Sequence, residues 1–401
     1  MKDLRVKLNR QNLFYVIWTF YSSTYFLFWA SNLKRSYSSV TRLLNVCTWI
    51  TLAALVLYIM GSGVRKKDIW LYALLAGVTV LTQYVQRSAT LVVLVLFVVS
   101  ARRLDFREII RYDVKLKLVW LGVIILLYVT GIVKNIEGYY GNIKYSVYKQ
   151  ALGFQHPNTL AIFTFTLVME WLLLRFKSFR VWEWVAILVI WFVVMGISQS
   201  RSTGYSMLFL VFVLMLAKRF PKIIYSKPVR ILFVAAPPVT AVLGIVLSSL
   251  YTRGNTFVRA LNKQMTGRIY LQTLFLKGYS VNLFGNDIEP LAQYYTLDSA
   301  WIRCLLSYGL IFFIIFILLY MWVIYKAMIS ENIEMAVFSL FFVLMGFGET
   351  SMVRIAINVS MLAWINRGLL AEVPVQAART ASAFRKIRVQ LRQPASPGRS
   401  R

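Results

Sequence analysis

The stretch YKQALGFQHPNTLAIFTFTLVMEWLLLRF, residues 148–176, begins polar and continues as an apolar helix. The only histidine of the chain, His156, sits at the change, followed directly by a proline and an asparagine. Pro157 suits the first turn of a helix, where its missing N–H costs nothing. The residues after it stay apolar for close to the ~20 positions that a bilayer crossing requires. The fold follows from how often this pattern recurs along the chain.

It recurs throughout. Of 401 residues, 59% are apolar and 15% charged, a balance outside that of soluble globular domains and typical of a polytopic membrane protein. Twelve candidate spans result: 12–31, 43–62, 69–86, 88–101, 117–133, 157–174, 181–198, 204–217, 230–250, 301–325, 334–352 and 355–371. The expected fold is an all-α bundle, one transmembrane domain over 1–371 with a basic, disordered tail over 372–401. The basic start MKDLRVKLNRQ leads into a long apolar segment without a small-residue cleavage site, so it reads as the first span and not as a cleavable leader. Cys47 and Cys304 lie in or beside apolar segments and form no metal-ligand or disulfide pattern; both read as packing residues.

The formal net charge is +30. A nucleic-acid partner would need a soluble basic surface, whereas here the charge is divided among short loops and orients the chain in the membrane. With both termini cytoplasmic, most Lys and Arg fall inside: Lys2, Arg5, Lys7 and Arg10, the RKK at 65, the run from Arg102 to Lys117, Arg175 to Arg180, Lys218 to Arg230, and the tail. Two long loops then face outward, about 134–156 and 251–300. The second contains TGRIYLQTLFLKGYSVNLFG, which predicts an amphipathic helix at the interface. The two halves show no self-similarity of the kind that inverted-repeat transporters can carry.

Polar groups gather on the outer side of this topology. In GFQHPN, His156 stands at a helix mouth as a proton acceptor or as a cap, and Asn158 caps or binds a hydroxyl. In GISQSRSTG, Arg201 sits among hydroxyls between two apolar runs, where it binds an anion in fork geometry or snorkels to lipid phosphate. The long loop supplies Arg253, Arg268, Asp287 and Glu289, with Asp298 immediately before a span. Acids are scarce on this side, so Asp298 is a candidate base, while Asp287 and Glu289 read as loop residues. In GFGETSMVR, Glu349 and Arg354 are expected to pair with each other.

LGFQHPNTL opening one span, SQSRSTG opening a later one, TGRIYL and LFG in a long outer loop, and LDSAWIRCLLSYGL after it together resemble the Wzy-type polysaccharide polymerases. These belong with the O-antigen polymerase and O-antigen ligase group of multi-spanning glycosyltransferases. The resemblance covers roughly 150–320, and the motifs fall in the family's order. It departs where Asp-Asn is expected and the chain has Asp298-Ser299.

The resemblance implies a bacterial cytoplasmic-membrane enzyme that lengthens a surface polysaccharide on the outer face. A glycan on undecaprenyl pyrophosphate is transferred to another lipid-linked repeat unit, without nucleotide sugar, cofactor or metal, and with a chain-length regulator protein as partner. A ligase that moves finished glycan to another acceptor, or a flippase for the same lipid, are the competing readings. Arg201 and Arg268, with Arg253 as a third, would stabilise charge on the leaving pyrophosphate. His156, or else Asp298, would take the proton of the attacking hydroxyl, and Asn158 and Gln155 would orient the sugar.

Overall fold

A computed structural model describes residues 10–37, 39–62, 69–86, 88–140 and 147–366. Lys2, Arg5 and Lys7, the Arg65–Lys67 cluster, residues 367–371 of the last expected span and the tail 372–401 lie outside the described residues.

The described chain is overwhelmingly helical. Six of its helices are long and apolar enough to cross a membrane: Ser39–Ser62, Pro157–Ser178, Val181–Ser198, Arg201–Arg219, Lys227–Thr252 and Ala300–Ile329. This is a membrane-embedded, all-α protein. The expected count of twelve spans is not met, for local reasons. Thr90–Ala101 and Ile333–Met345 are apolar but short. The fifth expected span does not start at residue 117, because the charged segment before it is already helical. Asp105 caps the helix Phe106–Val129 by accepting from the backbone N–H groups of Arg107 and Glu108. The first expected span is α-helical over Arg10–Tyr25 and then widens into a π-helical turn over Phe26–Ala30.

The last expected span, 355–371, is not an α-helix in its described part. Residues 350–366 form 3-10 turns at Thr350–Val353 and Val359–Ala363 joined by irregular chain, and nearly all of it is buried. Its polar side chains take partners on neighbouring elements and so compete with a helical ladder. Asn358 Nδ2 donates to Tyr320 Oη and to the Met352 carbonyl, both at 2.6 Å. Asn366 Nδ2 donates to the carbonyls of Ala101 and Leu104 at 3.0 and 2.9 Å. Arg354 lines a cavity with Thr90, at the start of the helix Thr90–Ala101, and Asn366 reaches its end. The irregular segment therefore runs alongside that whole helix. Non-helical backbone at such depth is tolerated only where protein, not lipid, surrounds it.

Two helices form the centre. In Pro157–Ser178, 83% of the apolar window is buried, against 28% in Ser39–Ser62 and in Val181–Ser198, whose large apolar side chains face outward. Ile333–Met345 is likewise buried on almost every residue and packs against Arg201–Arg219 and the long helix from Gly309 to Ile329. Leu57, Met60, Phe192 and Leu232 are exposed in the manner of lipid-facing residues.

The loop expected at 134–156 holds a two-stranded antiparallel hairpin, Glu137–Tyr140 with Val147–Gln150, Glu137 opposite Gln150. The loop expected at 251–300 is folded, with helices Thr256–Gln264 and Arg268–Gly278. Thr266 and Gly267 both adopt positive φ, +54° and +84°, which turns the chain sharply between these helices and sets Arg268 at the first position of the second.

Candidate functional site

Four segments far apart in sequence meet at Arg268. Its Nη2 lies 3.0 Å from Glu349 Oε1 and its Nε 3.4 Å from Asp298 Oδ2. Its Nη1 donates to Ser202 Oγ at 3.0 Å and to the Gly348 carbonyl at 2.6 Å. Glu349 Oε1 also accepts from Asn158 Nδ2 at 2.9 Å and from Ser202 Oγ at 3.3 Å. A side chain at Gly348 would run into the Arg268 guanidinium, so the glycine is what permits this approach.

Each residue is placed by its local backbone. Ser202 opens the helix Arg201–Arg219, just after Gln199 in the left-handed conformation (φ +51°). Asp298 and Glu349 are brought together by a bond between their loops, in which Ala300 N donates to the Gly346 carbonyl at 2.8 Å. Trp301 Nε1, donating to the Val343 carbonyl at 3.2 Å, reinforces it. Ser299, where the resemblance departs from its family, is the N-cap of the next helix, with Oγ accepting from Ile302 N at 3.3 Å. A hydroxyl does that work as well as an amide would.

The group has one cation for two carboxylates. Burial raises the carboxyl pKa of Glu349 above the ordinary range; Arg268 opposes the rise, and Asp298 adds to it. Asp298 is raised too, again by burial first, against the pull of Arg268 and Arg303. Lys149, on the hairpin, is lowered by burial and then by the nearby charges of Arg268 and Arg201. Raised carboxyls in a partly enclosed polar cluster are suited to accept a proton near neutral pH.

His156 is the N-cap of the helix Pro157–Arg175, and its Nδ1 accepts from Asn158 N at 3.1 Å. With Nδ1 as acceptor, the ring proton is on Nε2, so the imidazole offers no second lone pair while it caps. Gln155 is half-buried, and its backbone N donates to the Ala30 carbonyl at 2.8 Å. Arg201 is exposed at the first position of its helix, one residue from the cluster and electrostatically coupled to Lys149. Arg253 is exposed at the C-cap of Lys227–Thr252 and is not brought into the cluster. Of the residues expected from sequence, Arg268, Asp298 and Asn158 converge.

No protein-family model, curated protein or solved structure matches this chain.

Sequence reasoning missed the hub. Glu349 was expected to pair with Arg354, but Arg268 takes it, and the Arg354 guanidinium instead lies 4.0 Å from the ring centroid of Trp29. A five-residue spacing in a chain read as helix favoured the local partner; the true partner is 81 positions away. A second group was also missed. Lys117, expected in a cytoplasmic loop, is fully buried between Asp113 (2.6 Å) and Glu170. Trp18 Nε1 donates to Asp113 Oδ1 at 2.8 Å, and Lys117 Nζ to the Ile357 carbonyl at 3.2 Å. Helical i, i+4 spacing of Asp113 and Lys117 was the available signal.

Proposed function

We propose that this chain is an integral-membrane glycosyltransferase of the Wzy type. It polymerises undecaprenyl-pyrophosphate-linked repeat units into a surface polysaccharide on the outer face of a bacterial cytoplasmic membrane. Both termini are cytoplasmic and the hairpin and the 251–300 segment are outside, as the distribution of Lys and Arg requires. One observation carries the reading: two carboxylates, an amide and a hydroxyl from four distant segments converge on one arginine.

The chemistry assigned to the cluster is proton transfer. Glu349, or Asp298 across Arg268, takes the proton of the attacking sugar hydroxyl as its bond to the anomeric carbon forms and the bond from that carbon to the pyrophosphate oxygen breaks, releasing undecaprenyl pyrophosphate. Arg268 holds the two carboxylates in place, and Asn158 and Ser202 donate to the same Glu349 oxygen, Oε1, that Arg268 holds. His156 acts through the helix it caps, as a positioning residue. Arg201 faces the incoming lipid phosphate from the helix end.

The test is a deletion strain compared with a strain carrying Glu349→Gln, with the surface glycan run on a gel. Collapse from a ladder to single repeat units in both supports the polymerase. A ladder left on its lipid carrier means a ligase, and a normal ladder in the deletion strain overturns both.

The buried Asp113–Lys117–Glu170 group favours one competing reading. An ionic group inside a helix bundle is what an ion-coupled transporter of the same lipid would use. Repeat units stranded inside the deletion strain would decide for transport.

A further inference from the structure

A second polar cavity, of about 190 Å³, lies beside the cluster. Arg303, Ser307, Asn286 and Arg354 line it, with Asp287 and Glu289 at its exposed rim. It lies next to the candidate site: Thr350, which directly follows Glu349, lines it, as does Arg303, five residues after Asp298. Its wall is rigid. Gly285 (φ +89°) and Gly309 (φ +84°) meet backbone to backbone, and a Cβ at Gly285 would collide with the Ser307 carbonyl. Asn286 N donates to the Leu306 carbonyl at 2.8 Å.

The cavity's unsatisfied groups are all donors. Arg303 Nε, Arg354 Nε, Ser307 Oγ and Gln86 Nε2 are buried without a hydrogen-bond partner among the described residues. Buried donors left without acceptors are costly, so an acceptor-rich ligand is the missing counterpart. Neither arginine makes an ion pair among the described residues, although the Arg354 guanidinium also packs on Trp29, whereas the Arg268 guanidinium is already held by two carboxylates and carries no surplus charge for an anion. Among the described residues the carboxylates on this cavity are Asp287 and Glu289; both are solvent-exposed, and Asp287 Oδ1 is engaged by Glu289 N at 3.1 Å.

We infer that this cavity is an oxyanion subsite that takes the phosphoryl or carboxylate group of a saccharide substrate, with Arg303 and Arg354 as its anion ligands and the rim acids meeting sugar hydroxyls. Its volume suits one sugar or a diphosphate and not an oligosaccharide. This rests on the glycosyltransferase reading for its substrate, but the binding it claims is measurable without activity. The anion has two possible sources, the pyrophosphate of the lipid carrier or an acidic sugar in the repeat unit.

The test is titration of the purified full chain in detergent with inorganic pyrophosphate and, separately, with glucuronate. Saturable binding of either supports the subsite, and the tighter of the two names the source. Arg303→Gln and Arg354→Gln are each expected to weaken that binding at least ~10-fold. Ser88→Asp removes no arginine. It places a carboxylate in the cavity lining, before the helix Thr90–Ala101, where an acid favours the helix, and is expected to keep the fold. It is expected to weaken anion binding as well, and decides the matter if an arginine variant fails to fold. Absence of saturable binding by the wild type, or wild-type affinity in Ser88→Asp and the folded arginine variants, overturns the subsite. If Glu349→Gln abolishes the ladder while anion affinity is unchanged in these variants, the subsite falls and the polymerase stands. If deletion leaves the ladder normal while the variants lose binding, the polymerase falls and the subsite stands.

Discussion

The side-chain amide of Asn158 donates to Glu349 Oε1 at 2.9 Å, across 191 positions of sequence. The bond ties the start of the most buried of the six spans to the loop after Ile333–Met345, and makes Glu349 the meeting point of three donors. Glu349→Gln keeps the shape but removes the base. It is expected to lower polymer formation by roughly 10²–10⁴-fold, the usual contribution of a positioned base, with protein level unchanged. Asn158→Ala should cost less, because Arg268 and Ser202 still hold the carboxylate. Ladder length and immunoblots of membranes check both.

Capping and proton transfer make different demands on residue 156. Asn is a good N-cap and has no useful basicity. His156→Asn is therefore expected to keep polymer formation near that of the native chain. His156→Ala loses the cap, at about 1 kcal/mol of stability, and should lower the yield of folded protein. If both variants make single repeat units at normal protein level, His156 is the base and the role given to Glu349 is wrong.

Activity and stability should respond to pH in opposite directions. Burial raises the pKa of Glu349 and Asp298, so the folded protein holds these protons more tightly than the unfolded chain does. The destabilisation is thus fully present above the raised folded pKa, and is relieved as pH falls through it towards the ordinary carboxylate range. Over the same window a base that becomes protonated stops working, so transfer slows. Thermal unfolding in detergent from about pH 8 to about pH 5 should show the stabilisation, and Glu349→Gln should flatten it.

The buried ionic group offers a test of what it contributes. Lys117→Met leaves two carboxylates facing each other in a dry interior and is expected to cost about 3–5 kcal/mol. Adding Asp113→Asn and Glu170→Gln removes the stranded charge and keeps an acceptor for Trp18, and should restore most of the loss. Denaturant unfolding of the single and triple variants measures this. A triple variant that folds and still makes a full ladder assigns the group to packing; one that folds but no longer makes the ladder assigns it to function.

Much of the fold class was readable because apolar runs and Pro at a helix start are local signals. Pro157 opens its helix as expected, and Cys47 and Cys304 are buried and free. The site was readable in part. Arg268, Asp298 and Asn158 were marked because polar residues at the ends of apolar runs are few, but which of them meet is set by tertiary contacts. Glu349 looked like the neighbour of Arg354 because only sequence distance was visible. Residues 355–366 looked like a span because composition records apolarity and not backbone shape. Lys117 looked like a loop charge because its two acids stand 4 and 53 positions away, the nearer on its own helix face.

The segment 350–366 has a consequence for how the protein is made. A helix satisfies its own peptide groups and can enter lipid by itself, but this segment depends on Tyr320, Lys117 and the end of Thr90–Ala101 for its partners. It has no stable place in a bilayer until those helices have assembled around it. Biogenesis must therefore finish with a docking event that the insertion machinery cannot perform segment by segment, and quality control of this protein in the cell would act on chains that have inserted their helices but not yet closed over this irregular segment.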